Sequence, residues 1–209
     1  MGGDMNSKEA TRERLLKAAE QVFADKGFYE TAVDEVARLS NTSKGSVYFH
    51  FPSKEILFNA VMENLGERLL QRVEDALSAV EDPVVRLEVA LQTTVETFCR
   101  HRTLARVLLV RGYSMGAGFT LKKQEIFSRF VTLIQQLLDE AVKVCGSSDF
   151  DTRVAASVWL GSITEVLIQW LEAGGPHPVA DAMPTLRLLL LRSVGLEPTF
   201  ETLKASTHG

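Results

Sequence analysis

The chain has 209 residues, of which 45% are hydrophobic and 24% are charged, and these proportions are those of an ordinary soluble globular protein. The longest uninterrupted apolar runs, Val107 to Val110 and Leu188 to Leu191, are far shorter than the ~20 residues that cross a membrane as a helix. The formal net charge is −4, and residues 1–60 hold eight Lys or Arg against nine Asp or Glu. This balance excludes nucleic-acid binding that relies on a large basic surface.

The first stretch with helical periodicity predicts a long helix that ends near Lys26. Apolar residues recur along it at the spacing of one helix face. Gly27 would end the helix, because glycine adopts the left-handed conformation of a C-cap without strain. Arg12 and Arg14 near the start of this helix could each reach a phosphate or be solvated, and the sequence leaves both interpretations open.

The stretch from Thr31 to Lys54 predicts two short helices joined by a tight turn. The first helix would be Ala32 to Leu39, and Thr31 can cap it. Asn41 in the turn is one of the few non-glycine residues that tolerate a left-handed conformation. The second helix would run from Ser43 to Phe49, and the first turn of the next helix begins near Lys54.

The second short helix has the composition of a helix that enters the DNA major groove. Its first turn is small and polar, which suits contacts with base edges, and Gly45 lets the backbone come close to DNA. Further side chains have donors placed for phosphates, whereas Val47 and Phe51 would face inward. A plain helical hairpin with an exposed polar corner is the alternative. The candidate DNA-binding residues are Thr31, Thr42, Ser43, Lys44, Gly45, Ser46, Tyr48, His50 and Lys54.

Residues 12–57 closely resemble the helix-turn-helix signature of the tetracycline-repressor (TetR) family of bacterial transcription regulators. The resemblance rests on Phe23 to Phe28, on Thr31 and on the run from Val33 to Leu57. Asn41 and Thr42 stand where the family usually has Gly and Val. These two departures leave the expected fold intact and bear on the base preference.

This resemblance implies an all-α fold with two domains. Residues 1–64 would form a three-helix DNA-binding domain, and residues 65–209 a helical ligand-binding and dimerisation domain. The remaining helices are predicted near 53–80, 83–98, 104–110, 121–144, 150–171 and 179–194. In the resemblance the last two, 150–171 and 179–194, pair with those of a second subunit. The leucine-rich last helix supports this, because its apolar surface exceeds what one flank can bury.

A second resemblance, to TetR-like regulators that sense fatty acids or acyl-coenzyme A, rests on residues 104–127 and on the run from Ser157 to Leu171. It implies a small apolar or acyl effector, with basic side chains to meet an anionic head group. Ordinary core packing is the alternative for the aromatic residues, and a bulky hydrophobic drug is the alternative ligand, as in regulators of efflux pumps. The candidate ligand-binding residues are Phe98, Arg106, Arg111, Tyr113, Met115, Phe119, Phe127 and Trp159.

The sequence contains no motif that indicates catalysis or metal binding. The four histidines are scattered, no Cys/His spacing fits zinc, and no phosphate-binding or nucleophile motif is present. We therefore expect no metal, no cofactor and no enzymatic activity, with an enzyme or a helical lipid carrier as minor alternatives. Cys99 and Cys145 lie far apart, which favours reduced thiols in the cytoplasm over a redox pair. The expected protein is a cytoplasmic homodimeric repressor, without membrane contact, that leaves a palindromic operator when its effector binds.

Overall fold

The structure is a computed structural model that describes residues 3–111, 117–145 and 150–199. Every regular element within these ranges is a helix, so the predicted all-α fold is confirmed. The helices are α1 (Gly3–Glu30), α2 (Val33–Leu39), α3 (Lys44–His50), α4 (Lys54–Leu77), α5 (Pro83–Arg100), α6 (Arg102–Arg106), α7 (Ala117–Cys145), α8 (Thr152–Ala173) and α9 (Met183–Ser193). Short π-helical segments, Val107–Arg111 and Pro178–Ala182, follow α6 and precede α9.

The predicted backbone turns of the N-terminal region are confirmed. Gly27 has φ of 77° and interrupts the regular geometry of α1 where the C-cap was expected. Asn41 has φ of 53° and is the non-glycine residue that takes the left-handed conformation in the described backbone. Asn41 thus reverses the chain between α2 and α3, because its short polar side chain tolerates this conformation.

The predicted cap of α2 is wrong. The N-cap position is Ala32, which makes no side-chain capping bond. Thr31 instead points into the bundle, where its hydroxyl donates to the carbonyl oxygen of Gly27 at 2.7 Å. The hydroxyl therefore satisfies a carbonyl at the end of α1, which a helix end otherwise leaves without a partner.

The described residues form two compact units. The N-terminal unit comprises those of 1–67 and 101–124, and the C-terminal unit those of 68–100 and 125–199. α4 and α7 each contribute to both units. The predicted domain boundary at residue 64 separates a DNA-binding part from a ligand-binding part. The two compact units do not test these roles, so the boundary stays a prediction.

The N-terminal unit is built around an aromatic cluster. Phe23 of α1 and Phe58 of α4 are fully buried, and their rings meet edge to face at 4.9 Å between centroids. Phe28 lies 5.2 Å and Phe119 5.7 Å from Phe58. Such ring pairs stabilise a core by about 0.5–1.5 kcal/mol each beyond the area they bury. The cluster therefore fixes α4 and the first turn of α7 against the bundle that carries α2 and α3.

The C-terminal unit packs α5, the later part of α7, α8 and α9 around leucines such as Leu138, Leu167 and Leu191. Asp151 caps α8 by accepting bonds from the backbone N–H groups of Arg153 and Val154. By length and composition alone α8 would pass as a membrane span, with 39% of its most apolar window buried. A core helix of a globular protein has the same composition, and Trp159 and Leu171 are indeed buried here.

The single last helix predicted over 179–194 is divided in two. A π-helical turn covers Pro178–Ala182, and α9 begins only at Met183. Pro184 in its first turn explains the break, because proline has no N–H to continue the bonding of a preceding helix. Most of the leucines of α9 are core residues, and Leu189 alone among them is strongly exposed, at 61%.

Candidate nucleic-acid interface and effector cavity

The first turn of α3 is an exposed polar surface. Ser43 is its N-cap, and its hydroxyl accepts a bond from the backbone N–H of Ser46 at 3.1 Å. Val47 and Phe51 are buried, as predicted, and anchor the opposite face of the helix. The anchor and the cap together present the small polar side chains of α3 to solvent in one fixed orientation.

Gly45 has no role in the packing of the protein. A Cβ built at this position would lie 3.8 Å from the Ser43 hydroxyl, an ordinary contact distance, with no closer neighbour. The glycine sits within regular helix, where glycine costs about 1 kcal/mol relative to alanine. Because the fold does not need this glycine, its position on the exposed turn favours close approach by another molecule.

The two lysines predicted to contact phosphates, Lys44 and Lys54, both have partners within the protein. Lys44 Nζ lies 2.9 Å from Asp34 Oδ1, and the hydrogen bond and charge of Asp34 raise the pKa of Lys44. Lys54 Nζ donates to the carbonyl oxygens of Thr31 at 3.0 Å and Tyr29 at 3.3 Å. Lys44 remains exposed and can exchange its partner, whereas Lys54 holds the end of α1 against the start of α4.

The other predicted residues differ in their exposure. Tyr48 is exposed, and His50 is half-buried. The Thr42 hydroxyl lies 2.9 Å from that of Ser40, so it supports the turn before α3. Thr31 is only 3% exposed and bonded as described above. We therefore exclude the Thr31 side chain from the interface that we propose below.

His50 lies in a positive environment. Its pKa is lowered below the ordinary value, first by burial and then by the charges of Lys8 and Arg12, while Glu9 acts in the opposite direction. The cationic neighbours both belong to α1, and no local sequence pattern connects that part of α1 with α3. A neutral imidazole is thus favoured in the free protein near pH 7.

The C-terminal unit contains a narrow apolar cavity of about 30 Å³ between α5, α7 and α8. Trp159, one of the candidate ligand-binding residues, lines this cavity, and its Nε1 donates to the Ser193 hydroxyl at 3.3 Å. Thr94 contributes the one hydroxyl of the lining. The lining residues are Leu87, Ala90, Leu91, Thr94, Phe130, Leu133, Ile134, Leu137, Trp159, Leu160 and Ile163.

Most of the predicted ligand residues do not line this cavity. Phe119 is buried in the aromatic cluster of the N-terminal unit, and Arg106 belongs to that unit as well. Phe98 and Phe127 are half-buried in the C-terminal unit and lie outside the lining. The Arg111 side chain, Tyr113 and Met115 lie outside the described residues. The cavity is built mainly from leucine and isoleucine at helical spacing, a pattern that does not differ from ordinary core.

The comparisons with known proteins agree with this architecture. Residues 15–61 match the family model described as bacterial regulatory proteins, tetR family. Taken with the helical fold, this match shows that residues 15–61 form an N-terminal region of the tetR family of bacterial regulatory proteins.

Similarity to individual relatives is moderate. The uncharacterized HTH-type transcriptional regulator YvdT of Bacillus subtilis is 25% identical over 130 residues, which cover 62% of this chain and 66% of YvdT, just under two thirds. The fatty acid metabolism regulator protein of the same bacterium is 21% identical over 169 residues, 80% of this chain and 87% of that protein.

A solved structure shows the same fold over most of the chain. It is the transcriptional regulator FadR from Bacillus subtilis in complex with stearoyl-CoA, with a TM-score of 0.73 and 20% identity. The superposition covers 85% of this chain and 96% of that one. The agreement in fold therefore extends well beyond residues 15–61, which the family model matches.

Proposed function

We propose that the chain is a ligand-responsive, homodimeric transcriptional repressor that binds a palindromic operator through α3 and is released by an apolar effector such as a fatty acid or acyl-coenzyme A. Residues 1–64 would bind DNA, and residues 65–209 would bind the effector and the second subunit, in the cytoplasm. The observation that carries the proposal is the first turn of α3, which is capped by Ser43 and exposed to solvent. Within this turn, no packing contact of the protein requires a glycine at position 45.

Base edges would be read by the start of α3. Side chains near the N-terminus of such a helix approach the bases in the major groove. Ser43, Gly45 and Ser46 are short enough to let the helix approach, and Thr42 adds a methyl group and a hydroxyl beside them. Lys44 would exchange Asp34 for a phosphate, and Tyr48 would donate its phenolic hydroxyl to another.

An exposed apolar stripe on α8 supports dimerisation. Val154 and Val158 are 60% and 57% exposed, and Gly161 follows on the same face at helical spacing. Leu189 of α9 adds a further exposed apolar side chain. Burying such a surface against its symmetry mate gives an isologous contact, and two α3 helices would then meet two half-sites of a palindrome.

The cavity favours an apolar effector but must expand to hold one. Its lining is almost wholly aliphatic and aromatic, whereas its volume of about 30 Å³ is far below the ~300 Å³ or more of a typical ligand site. Effector binding would therefore select a more open arrangement of α5, α7 and α8. A ligand shifts such an equilibrium only by binding one arrangement better than the other. The relatives that regulate fatty acid metabolism, and the FadR complex with stearoyl-CoA, support an acyl chain as the occupant.

Tyr48→Ala tests the DNA-binding part of the proposal. Binding of the full chain to duplex DNA from upstream of its own gene would be measured by fluorescence anisotropy. We expect the variant to fold and dimerise normally and to bind at least tenfold more weakly, because loss of a charge-assisted bond costs about 1.5–3 kcal/mol. Tyr29→Ala, which removes another exposed tyrosine outside α3, is the matched control. Equal binding by wild type and Tyr48→Ala would remove α3 from the interface.

The effector is tested by titrating the protein–DNA complex with stearoyl-coenzyme A, with free coenzyme A as the control. Release of DNA by the acyl compound alone supports the acyl effector. Leu91→Trp, which fills the cavity, should then keep DNA binding and lose the response. Release by a hydrophobic aromatic cation such as rhodamine 6G, without release by the acyl compound, would favour a drug-responsive regulator instead.

A further inference from the structure

Phe49, near the end of α3, is an exposed aromatic residue. It is 69% exposed, although large apolar side chains are usually buried, and it follows directly after Tyr48. Its ring is covered on one side by the Lys8 ammonium, with Nζ 4.9 Å from the ring centroid. A cation at this distance from a ring face is held electrostatically. Phe49 therefore fixes the start of α1 beside the end of α3.

A second cation of α1 makes the same kind of contact one helical turn later. The Arg12 guanidinium lies 5.5 Å from the ring centroid of Phe51, and it is also 3.8 Å from Glu9. Lys8 and Arg12 are four residues apart and share one face of α1. His50 lies between the two rings in sequence and experiences both charges. Two permanent cations and one ionisable group thus meet at one end of α3, with Glu9 as the opposing carboxylate.

The chemistry of this cluster suits a phosphate. A ring contacts only one side of an ammonium, so Lys8 keeps its charge and its N–H donors toward solvent. In a helix that enters the major groove N-terminus first, the C-terminal end lies toward the flanking backbone. The cluster at Phe49 is therefore on the phosphate side of the interface.

The partners of the other lysines near α3 also favour Lys8 as a phosphate ligand. Lys44 is held by Asp34, and Lys54 by main-chain carbonyls. Residues 1–60 as a whole carry no net excess of Lys and Arg. Cations that are oriented and not neutralised are therefore scarce near α3, and Lys8 is one of them.

We propose that the start of α1 is a second DNA-contacting element, in which Lys8, oriented by Phe49, and Arg12 bind the phosphate backbone beside the groove that α3 enters. This inference rests on the proposed function, because it concerns the same complex. It adds a contact from outside the helix-turn-helix. The contact is independent of base sequence, so it raises affinity and fixes the register of α3 without changing the operator preference.

The test is the salt dependence of binding. The probe is a fluorescent 30-base-pair duplex enriched by the wild-type chain from a random library, titrated over a series of KCl concentrations. Each phosphate contact contributes about 0.9 to the slope of log K against log salt. Lys8→Gln should reduce the slope by about 1.8 for two half-sites, and should weaken binding roughly 30-fold near ~0.15 M salt.

Two further variants separate charge from orientation. Phe49→Leu keeps the Lys8 charge but removes the ring that orients it, so we expect weaker binding with most of the slope retained. Lys17→Gln removes an exposed lysine elsewhere on α1 and is the matched control, with no expected change. Lys8→Gln and Phe49→Leu should lower the thermal unfolding midpoint only slightly, because the cation–ring contact that they remove is exposed, and Lys17→Gln should match the wild type.

The outcomes distinguish this inference from the function on which it rests. Normal affinity and slope in Lys8→Gln, with firm binding by the wild type, would overturn the α1 contact and leave the regulator intact. Weaker binding with an unchanged slope would also overturn it, since Lys8 would then only support the fold of α3. A wild-type chain that enriches no duplex would overturn both.

Discussion

Lys44 at the first position of α3 lies 2.9 Å from the carboxylate of Asp34 on α2, so the helix to which we assign DNA reading begins with a paired lysine. Both side chains are more than half exposed. A surface pair of this kind contributes little to stability, because solvent screens it. The pair can therefore open when a phosphate approaches, and Asp34 acts as a competitor for Lys44.

Asp34→Asn should strengthen DNA binding. Removing the carboxylate frees Lys44 for a phosphate and removes a negative charge from the interface, which we expect to raise affinity roughly fivefold per half-site near ~0.15 M salt. The free energy of unfolding should fall by about 0.3–1 kcal/mol, because Asp34 lies in the first turn of α2, where a negative charge is favourable. Anisotropy titration measures the affinity, with Asp25→Asn, an exposed aspartate of α1, as the control. Unchanged or weaker binding would show that Lys44 does not reach a phosphate.

Lys54→Met tests a structural assignment. Lys54 donates to the carbonyl oxygens of Thr31 and Tyr29, and its Nζ lies 4.6 Å from the centroid of the Phe28 ring. Because bonds from a charged donor contribute about 1.5–3 kcal/mol when shielded and less when half exposed, we expect a loss of about 1–3 kcal/mol in the free energy of unfolding. Chemical denaturation measures this loss, with Lys17→Met as the control. A lower salt slope for DNA binding without loss of stability would restore Lys54 as a phosphate ligand.

Operator affinity should rise as the pH falls below about 6.5. The pKa of His50 is depressed in the free protein, first by burial and then by Lys8 and Arg12, with Glu9 opposing them. A nearby phosphate would raise the pKa of His50, so DNA binding would be accompanied by uptake of a proton. If the pKa of His50 is higher by one in the complex, affinity changes by up to about tenfold per site. Titrations between about pH 5.5 and pH 8 check this. His50→Asn should show a flatter profile, and an identical profile would assign the effect to other groups.

The same depressed pKa affects the stability of the free protein in the opposite direction. Since the unfolded chain binds a proton at His50 more readily than the folded chain, stability is present above the ordinary histidine value of about 6.5. It is lost as the pH falls from there toward the depressed pKa of the folded state. Denaturation of the wild type and of His50→Asn over the same pH range separates this effect from the binding effect.

Val158→Arg should disrupt the dimer. Val158 is 57% exposed on α8, beside Val154 one turn away, and a charge buried in an apolar contact leaves a cost of several kcal/mol. Light scattering should show the mass falling from twice the chain mass to the 23.1 kDa of one chain. Val144→Arg, at an exposed valine near the end of α7, should stay dimeric. A dimeric Val158→Arg protein would place the subunit contact elsewhere.

Local features of the fold were predictable from the sequence because their causes are local. The left-handed residue Asn41, the break at Gly27 and the burial of Val47 each follow from one side chain and its immediate neighbours. The all-α fold followed from the periodicity of the helices and from the resemblance to a known family. The π-helical turn before α9 could also have been foreseen, because Pro184 was visible in the sequence.

Contacts between distant segments were not predictable. Lys44 and Asp34 are ten residues apart, and Lys8 meets Phe49 only after α1 and α3 have packed. The placement of Phe119 was missed because an aromatic residue near the start of a helix has the same pattern in a core as in a ligand site. The cavity depends on the arrangement of three helices, which helical periodicity alone does not determine.

Selection of DNA from a random duplex library is the sharpest test of α3 as the DNA-reading helix, because it does not depend on a known operator. The wild-type chain should enrich an inverted repeat whose half-sites are separated by about one helical turn or a multiple of it. Tyr48→Ala loses a proposed phosphate contact on α3 and should enrich the same repeat much more weakly, whereas Tyr29→Ala should enrich it as strongly as the wild type. Enrichment of no sequence by the wild type, or equally strong enrichment of the repeat by Tyr48→Ala, would contradict the assignment of DNA reading to α3.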